Sequence, residues 1–197
     1  AFGLMRPAMA LHLPWRADGV LQSIDQFLVG GNLSLAMQPW VRPWLSDAMS
    51  LGYMAFIPLL YGMQAVYLLR ANRKQLGRMF RGLYLLYGIA FVGYLLLPAL
   101  GPYLAMQEQF QVPIVGGWLT QFNAWGVPQG TNLMDVFPSL HVGISLYLWL
   151  TLWRDKRWLA ALLSPLMVLL WLSTLYLRYH YAADVLAGAA LALGCFF

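Results

Sequence analysis

The apolar residues of this chain are gathered into five long stretches instead of alternating with polar ones. The stretches cover residues 51–69, 83–100, 141–153, 158–177 and 182–197. A helix that spans a bilayer needs about 20 mainly apolar residues, so the third and fifth stretches qualify only with their flanking residues. Bilayer hydrocarbon cannot satisfy backbone groups, and the alternating pattern of a membrane barrel is absent from the sequence. The pattern therefore predicts an all-α integral membrane protein, a polytopic helical bundle with five visible spans.

The composition strengthens this prediction and bounds it. Hydrophobic residues make up 61% of the 197 residues and charged residues only 10%, whereas soluble domains carry about 25% charged residues. Cys195 is the only cysteine and lies in the last apolar stretch, so no intrachain disulfide is expected. The sequence begins with Ala1 and stops inside an apolar stretch, so we expect a sixth span or a signal segment before it.

The positive charges predict how the chain is oriented. The formal net charge is +5, and eight of the twelve Lys and Arg residues fall in two short segments between apolar stretches. They are Arg70, Arg73, Lys74, Arg78, Arg81, Arg154, Lys156 and Arg157. Short basic segments stay in the cytoplasm, so we expect a multi-pass protein of the plasma (inner) membrane. No basic-aromatic groove pattern accompanies the charge, and nucleic acid is not an expected partner.

With the basic segments inside, residues 1–50 and 101–137 fall outside the membrane. The first range is expected to form short interfacial helices, with the aromatic and helix-breaking residues Trp15, Trp40, Trp44, Pro14, Pro39 and Pro43. The second has the Gly, Pro and Asn content of a structured loop that could form a lid. We expect a single membrane domain over residues 1–197, with His12 as an interfacial residue. The oligomeric state is left open.

Two of the three histidines lie at the outer ends of predicted helices, His141 after Ser139 and His180 before Asp184. Ionisable groups at membrane depth are functional by default. His180 and Asp184 are four residues apart and share one face if both are helical. A carboxylate bound to an imidazole fixes its tautomer and raises its basicity, which makes His180 a candidate nucleophile.

The same two helix ends predict an anion site. Pro138 fits the first turn of a helix, which would place Ser139 and His141 at its amino end. The last helix is expected to begin near His180. Two converging amino ends would offer free N–H groups and favourable dipoles to a phosphate, and Arg178 would add a guanidinium fork.

These segments resemble the type 2 phosphatidic acid phosphatase superfamily, with its motifs Pro-Ser-Gly-His and Ser-Arg-x5-His-x3-Asp. The matching residues are Pro138, Ser139 and His141 for the first motif and Ser173, His180 and Asp184 for the second. Leu140 replaces the glycine of the first motif, and Thr174 replaces the arginine of the second. The Pro-Ser-Leu-His form resembles the inositol-phosphorylceramide synthase branch. Lys74 to Arg81 nearly matches a third motif, Lys-x6-Arg-Pro, but its predicted cytoplasmic position marks it as a chance match.

The resemblance implies a phosphohistidine mechanism without metal or other cofactor. In it His180 attacks phosphorus, Asp184 orients His180, and His141 protonates the leaving alkoxide. The residues expected to contact the substrate phosphate are Ser139, Arg178, Ser173, Thr174 and Tyr103, with Arg16 and Arg42 as further candidates. Asp135 is expected to be a helix cap or loop residue.

Two reactions fit this chemistry. The first is hydrolysis of a membrane lipid phosphate or diphosphate at the outer face. The alternative is transfer of a phospho-headgroup from a lipid donor to an alcohol, a polyol or another lipid. Two hypotheses of other classes also stay open. In one, His141 and His180 hold haem or a metal in a transport or electron-transfer protein; in the other, the chain is a noncatalytic lipid scaffold.

Overall fold

The computed structural model of this protein describes residues 15–130 and 134–197, and every regular element in that part is helical. The helices are α1 Asp18–Val29, α2 Leu33–Ala36, α3 Pro43–Met54, α4 Phe56–Arg70, α5 Arg73–Leu96, α6 Pro102–Ala105, α7 Trp118–Gly130, α8 Leu140–Asp155, α9 Arg157–Tyr176 and α10 Ala182–Phe196. Short 3-10 turns occupy Gln38–Trp40 and Gln107–Gln109. The all-α prediction is confirmed, while the predictions for His12 and Pro14 lie outside the described residues.

Three helical segments are long and apolar enough to cross a bilayer. They are Pro43–Arg70, which joins α3 and α4 over 28 residues, together with α5 and α9. The other two predicted spans correspond to α8, with 16 residues, and α10, with 15. A helical membrane bundle is thus confirmed, although two of the five expected spans are shorter than the thickness of a bilayer requires.

The first span begins at Pro43, not at residue 51 as predicted. Proline suits the first turn of a helix because its missing N–H would have no partner there, so Pro43 opens α3 instead of breaking a helix. The helix is interrupted at Ala55. Pro58 explains the interruption, because it cannot donate to the Met54 carbonyl and its ring would clash with that group. The expected interfacial helices therefore end before residue 43.

Most of the first basic segment, which lies between two apolar stretches of the sequence, is helical. A reciprocal capping box between Asn72 and Gln75 starts α5 at Arg73. Arg78 reaches across to Asp155 at the carboxyl end of α8, with 2.6 Å between nitrogen and oxygen. The basic residues of both segments therefore lie at one end of the bundle. Ser139 caps the other end of α8, roughly 24 Å away at 1.5 Å per residue.

Helix α8 lies at the centre of the bundle and contacts α4, α5, α9 and α10. Its buried side chains include Ile144, Leu148 and Leu152. The contact with α10 is especially close because Gly143 faces Gly188. A Cβ atom on Gly188 would overlap the carbonyl oxygen of Ser139, so a small residue is needed at this point.

The range 101–137, expected to be a structured loop, contains a 13-residue helix, α7. Asp47 of α3 caps its amino end by accepting bonds from the Gly117 and Thr120 N–H groups, both at 3.0 Å. Helix α7 turns Asn123 inward, and its aromatic side chains Trp118, Phe122 and Trp125 are exposed. This outward apolar face is typical of a helix at a membrane interface.

Candidate active site

His180 lies in the tight connection between α9 and α10. Helix α9 ends at Tyr176, and Arg178 adopts a left-handed conformation with a φ of 68°. The backbone N–H groups of Tyr179 and His180 then both donate to the Thr174 carbonyl, at 3.0 and 3.1 Å. His180 therefore lies just before α10, which starts at Ala182, near the position expected for the start of the last helix.

Asp184 holds His180 even though only Asp184 is helical. The Nδ1 atom of His180 lies 2.9 Å from Oδ1 of Asp184, and the other carboxylate oxygen accepts the Tyr181 N–H at 2.9 Å. Both side chains are buried. Because a carboxylate only accepts hydrogen bonds, Nδ1 carries the proton and Nε2 presents its lone pair.

The free nitrogen of His180 faces the amino end of α8. Nε2 lies 3.4 Å from Nδ1 of His141 and 3.4 Å from the Ser139 hydroxyl. Ser139 is the N-cap of α8, so that helix begins at Leu140 and not at Pro138 as expected. The predicted trio of His180, His141 and Asp184 is thus brought together, with Ser139 beside it.

Aromatic rings fix the position of His141. Its imidazole stacks on Tyr53, with 4.4 Å between ring centroids, and lies 4.5 Å from the Phe56 ring. Both aromatic residues belong to the long first helical segment. Tyr53 was not predicted as a site residue. It lies in an apolar stretch of the sequence, and nothing in that stretch indicates which aromatic side chain faces α8.

A cavity of about 810 Å³ opens beside the two histidines. Its wall is mostly aromatic and aliphatic and runs from His141 and His180 to Tyr61 and Tyr87 on α4 and α5. The polar side chains Asn123 and Asp135 line another part of it. Ligand cavities are mainly apolar with a few convergent polar groups, and this one has room for part of a lipid.

The family model described as PAP2 superfamily matches residues 21–197. The chain belongs to the PAP2 superfamily. No curated protein and no solved structure matches it. Membership supports an enzyme that acts on phosphate esters, and the matched range includes every side chain of the candidate site.

The near match to the third PAP2 motif, Lys74 to Arg81, lies at the wrong end of the bundle to take part. These residues form the first turns of α5, where Arg78 pairs with Asp155. Tyr94, near the other end of α5, lines the cavity together with Tyr87 and Phe91 of the same helix.

Arg178, expected to offer its guanidinium to phosphate, packs away from the cavity. Because α9 ends at Tyr176, Arg178 lies beyond the helix that carries Thr174, the position of the motif arginine. Its guanidinium carbon lies 4.0 Å from the centre of the Phe110 ring, and one of its nitrogens donates to the Val112 carbonyl. Arg178 is buried against residues 110–112 and does not line the cavity.

Of the other residues expected to contact phosphate, only some lie at the cavity. Tyr103 lines the cavity, with its ring edge-on to Tyr179 at 6.0 Å. Ser173 and Thr174 instead donate to backbone carbonyls within α9. Arg16 and Arg42 are exposed, and the described residues that line the cavity include no Lys or Arg. Asp135 forms an isolated bridge with Ala99 ahead of α8, so it is a loop residue and not a helix cap.

The amino end of α10 is not the open anion site that was expected. Asp25 of α1 occupies the N–H groups of Ala182 and Ala183. An acidic residue in a short apolar segment was a visible signal in the sequence, but its partner lies 157 residues away. Within residues 15–130 and 134–197, no three His, Cys, Asp or Glu side chains are grouped so as to hold a metal ion.

Proposed function

We propose that this protein hydrolyses a lipid phosphate through a phosphohistidine formed on His180. The observation that carries the proposal is the continuous chain from Asp184 through His180 to His141, with contacts of 2.9 and 3.4 Å, beside the 810 Å³ cavity. An ester phosphate whose apolar part lies in that cavity would bring its phosphorus to Nε2 of His180.

The proposed reaction has two steps. In the first, the Nε2 lone pair of His180 forms the N–P bond, the bond between phosphorus and the lipid oxygen breaks, and protonated His141 gives its proton to the leaving oxygen. In the second, neutral His141 takes a proton from water, whose oxygen attacks phosphorus and releases His180. A phosphoryl group between the two rings requires them to move apart from their 3.4 Å contact.

Asp184 stabilises the positive charge that develops on His180 during attack. Its carboxylate is buried and also bonded to the Tyr181 N–H, so it is already oriented before the substrate arrives. Preorganised charge of this kind is among the largest contributions to catalysis. Ser139, whose hydroxyl lies 3.4 Å from Nε2 of His180, is placed to contact a nonbridging phosphate oxygen.

Transfer to an alcohol is the second candidate, and the polar part of the cavity favours it. The Asn123 amide donates to the Tyr179 hydroxyl at 3.0 Å, while its Oδ1 is buried without a partner among the described residues. Burial raises the pKa of Tyr179, so its hydroxyl keeps its proton and remains a donor. A donor and an acceptor side by side suit the hydroxyl groups of a polyol, the acceptor class that the resemblance to the inositol-phosphorylceramide synthase branch implies.

The orientation we propose places the basic helix ends in the cytoplasm of a plasma (inner) membrane. Short basic segments are retained there, and His141 and His180 lie at the opposite end of α8 from Arg78 and Asp155. The substrate would then be drawn from the outer leaflet.

A panel of lipid phosphates with detergent-purified protein tests the proposal. Phosphate release is measured in EDTA for the wild type and for His180→Ala, with and without inositol. Release by the wild type alone supports the hydrolase, and turnover only with inositol supports the transferase. Equal activity of His180→Ala contradicts both.

A further inference from the structure

A buried carboxylate from the outer helix α1 binds the first turn of α10. Oδ1 of Asp25 accepts the Ala183 N–H at 2.7 Å, and Oδ2 accepts the Ala182 N–H at 3.1 Å. Asp25 is fully buried. These are two of the N–H groups that a helix leaves without an internal partner at its amino end, so the carboxylate completes α10 from outside.

The neighbouring acid, Asp184, is thereby left free for His180. Asp184 is the third residue of α10, and a side chain at this position can reach back to the unbonded N–H groups of the first turn. In this structure one oxygen of its carboxylate accepts the Tyr181 N–H, and the other is hydrogen-bonded to Nδ1 of His180. Without Asp25, the Ala182 and Ala183 N–H groups would compete with His180 for the same carboxylate.

Burial and the nearby charge of Asp184 both disfavour the ionised form of Asp25. Burial raises the pKa of Asp25, and the bonds from Ala183 and Ala182 act in the opposite direction. Its charge also repels that of Asp184. An isolated buried carboxylate is strongly unfavourable, but the positive end of the α10 dipole and two N–H groups offset the cost here.

A second carboxylate of α1 fixes the same region from the other side. Asp18 accepts the Tyr181 hydroxyl at 2.9 Å and the Leu100 and Gly101 N–H groups at 3.1 Å. Asp18 and Asp25 are seven residues apart and so lie on one face of α1. The helix therefore contacts Tyr181 and Ala182, the two residues that follow His180.

We propose that Asp25 is a positioning residue for His180: by binding the first turn of α10 it leaves the Asp184 carboxylate to orient the nucleophile. Asp25 does not line the cavity, so it acts through Asp184 and not on the substrate. In its kinetic consequences the proposal rests on the phosphohistidine function proposed above.

The kinetic test compares Asp25→Asn and Asp25→Ala with the wild type. A displacement of about 1 Å at a catalytic group can cost about a hundredfold in rate, so we expect Asp25→Asn to lower kcat by about 10- to 100-fold. Asp25→Ala, which offers no acceptor, should lower it further. KM should change little for either variant, because neither touches the cavity wall.

Ser34→Ala is the matched control for loss of a buried bond. Ser34 lies in α2, the helix that follows α1. It is buried and donates to the Leu175 carbonyl at 2.7 Å. Single-turnover labelling with radiolabelled phosphatidic acid separates folding from positioning, since the amplitude of phosphohistidine counts folded sites and its rate reports alignment. We expect Asp25→Asn to keep the amplitude and lose rate, and Ser34→Ala to keep both. A loss confined to amplitude in Asp25→Asn would overturn the proposal.

A second measurement does not depend on turnover. In protein with isotope-labelled histidine, the proton between His180 and Asp184 gives an NMR resonance identified by its loss in His180→Ala. We expect this resonance to shift or broaden in Asp25→Asn and to stay in place in Ser34→Ala. If the wild type forms no phosphohistidine, the proposed function fails and the NMR comparison alone decides on Asp25; an unchanged resonance in Asp25→Asn would overturn the positioning role.

Discussion

Each ring nitrogen of His180 has its own environment. Nδ1 is bonded to a carboxylate that is itself held by the Tyr181 N–H, and Nε2 faces His141 and the Ser139 hydroxyl. An imidazole held in this way can attack only through Nε2, so the tautomer and the direction of attack are set before substrate binds. The carboxylate of Asp184 is the group on which this depends.

Asp184→Asn should therefore lower kcat by about 10³- to 10⁴-fold, as expected when a triad carboxylate becomes an amide and the wrong tautomer is favoured. KM should stay close to that of the wild type. The matched control is Glu108→Gln, an exposed carboxyl in the outer segment, which should leave kcat unchanged. Initial-rate kinetics on the substrate found in the lipid panel decide; a fall below about tenfold would argue against the orienting role.

Arg178 gives a prediction of the opposite kind. Its guanidinium packs on Phe110 and donates to the Val112 carbonyl. Replacing Arg178 therefore removes contacts with residues 110–112 and leaves the cavity wall unchanged. We expect Arg178→Gln to lower the thermal unfolding midpoint, with a cost of about 1–3 kcal/mol for the lost charged hydrogen bond and stacking. KM should be unchanged. A tenfold or larger rise in KM, with no change in the midpoint, would instead favour direct phosphate binding.

At the scale of helices, the site depends on how closely α8 approaches α10. Ser139 and His141 come from the start of α8, and Asp184 comes from the start of α10. The two helices meet where Gly188 faces the Ser139 carbonyl and Gly143. The distance between His141 and His180 therefore depends on a packing contact in which neither histidine takes part.

Gly188→Ala should separate these helices. The added Cβ would overlap the Ser139 carbonyl oxygen, and overpacking of this kind costs about 1–3 kcal/mol. Because Ser139 caps α8, we expect kcat to fall by about tenfold or more. Gly194→Ala on the same helix meets no atom within 4 Å and should behave as the wild type. Normal turnover by Gly188→Ala would show that the site tolerates a shift of α8.

The sequence predicted the helices better than it predicted their ends. Long apolar stretches must be helical in a bilayer, so the bundle could be inferred without any homologue. The break at Ala55 depends on Pro58, and the end of α9 at Tyr176 depends on the left-handed Arg178. The helix ends that these two residues produce can be located only when the backbone conformation is known. The capping of α10 by Asp25 joins residues 157 positions apart, and no local pattern specifies such a pair.

Helix α7 was missed for a related reason. Its apolar side chains Trp118, Phe122 and Trp125 are exposed and its polar residues Thr120 and Asn123 are buried, the reverse of the pattern in a soluble protein. The spacing of the three aromatic residues was readable as a helical stripe. Gly and Pro at the same density nevertheless favoured a loop, and the cap that stabilises the helix comes from Asp47, far away in the sequence.

The molecule as a whole has two chemically different ends. One carries the ion pair between Arg78 and Asp155 and the Arg154 guanidinium over Phe196. The other carries His141, His180 and the helices α1 and α7. The cavity begins at the second end and extends along α4 and α5 between aromatic side chains. The lipid phosphate that we propose as substrate would therefore keep its tail at membrane depth while its phosphate reaches the histidines.

This arrangement makes the orientation in the membrane directly testable. In a background with Cys195→Ser, single cysteines are introduced by Gln111→Cys near the site and by Lys74→Cys at the basic end; both positions are exposed. Because short basic segments stay inside, we expect a membrane-impermeant maleimide to label the first variant in intact cells. The second should react only after permeabilisation. The reverse pattern would place the histidines in the cytoplasm, so that the substrate would have to come from the inner leaflet while the two-histidine chemistry stayed the same.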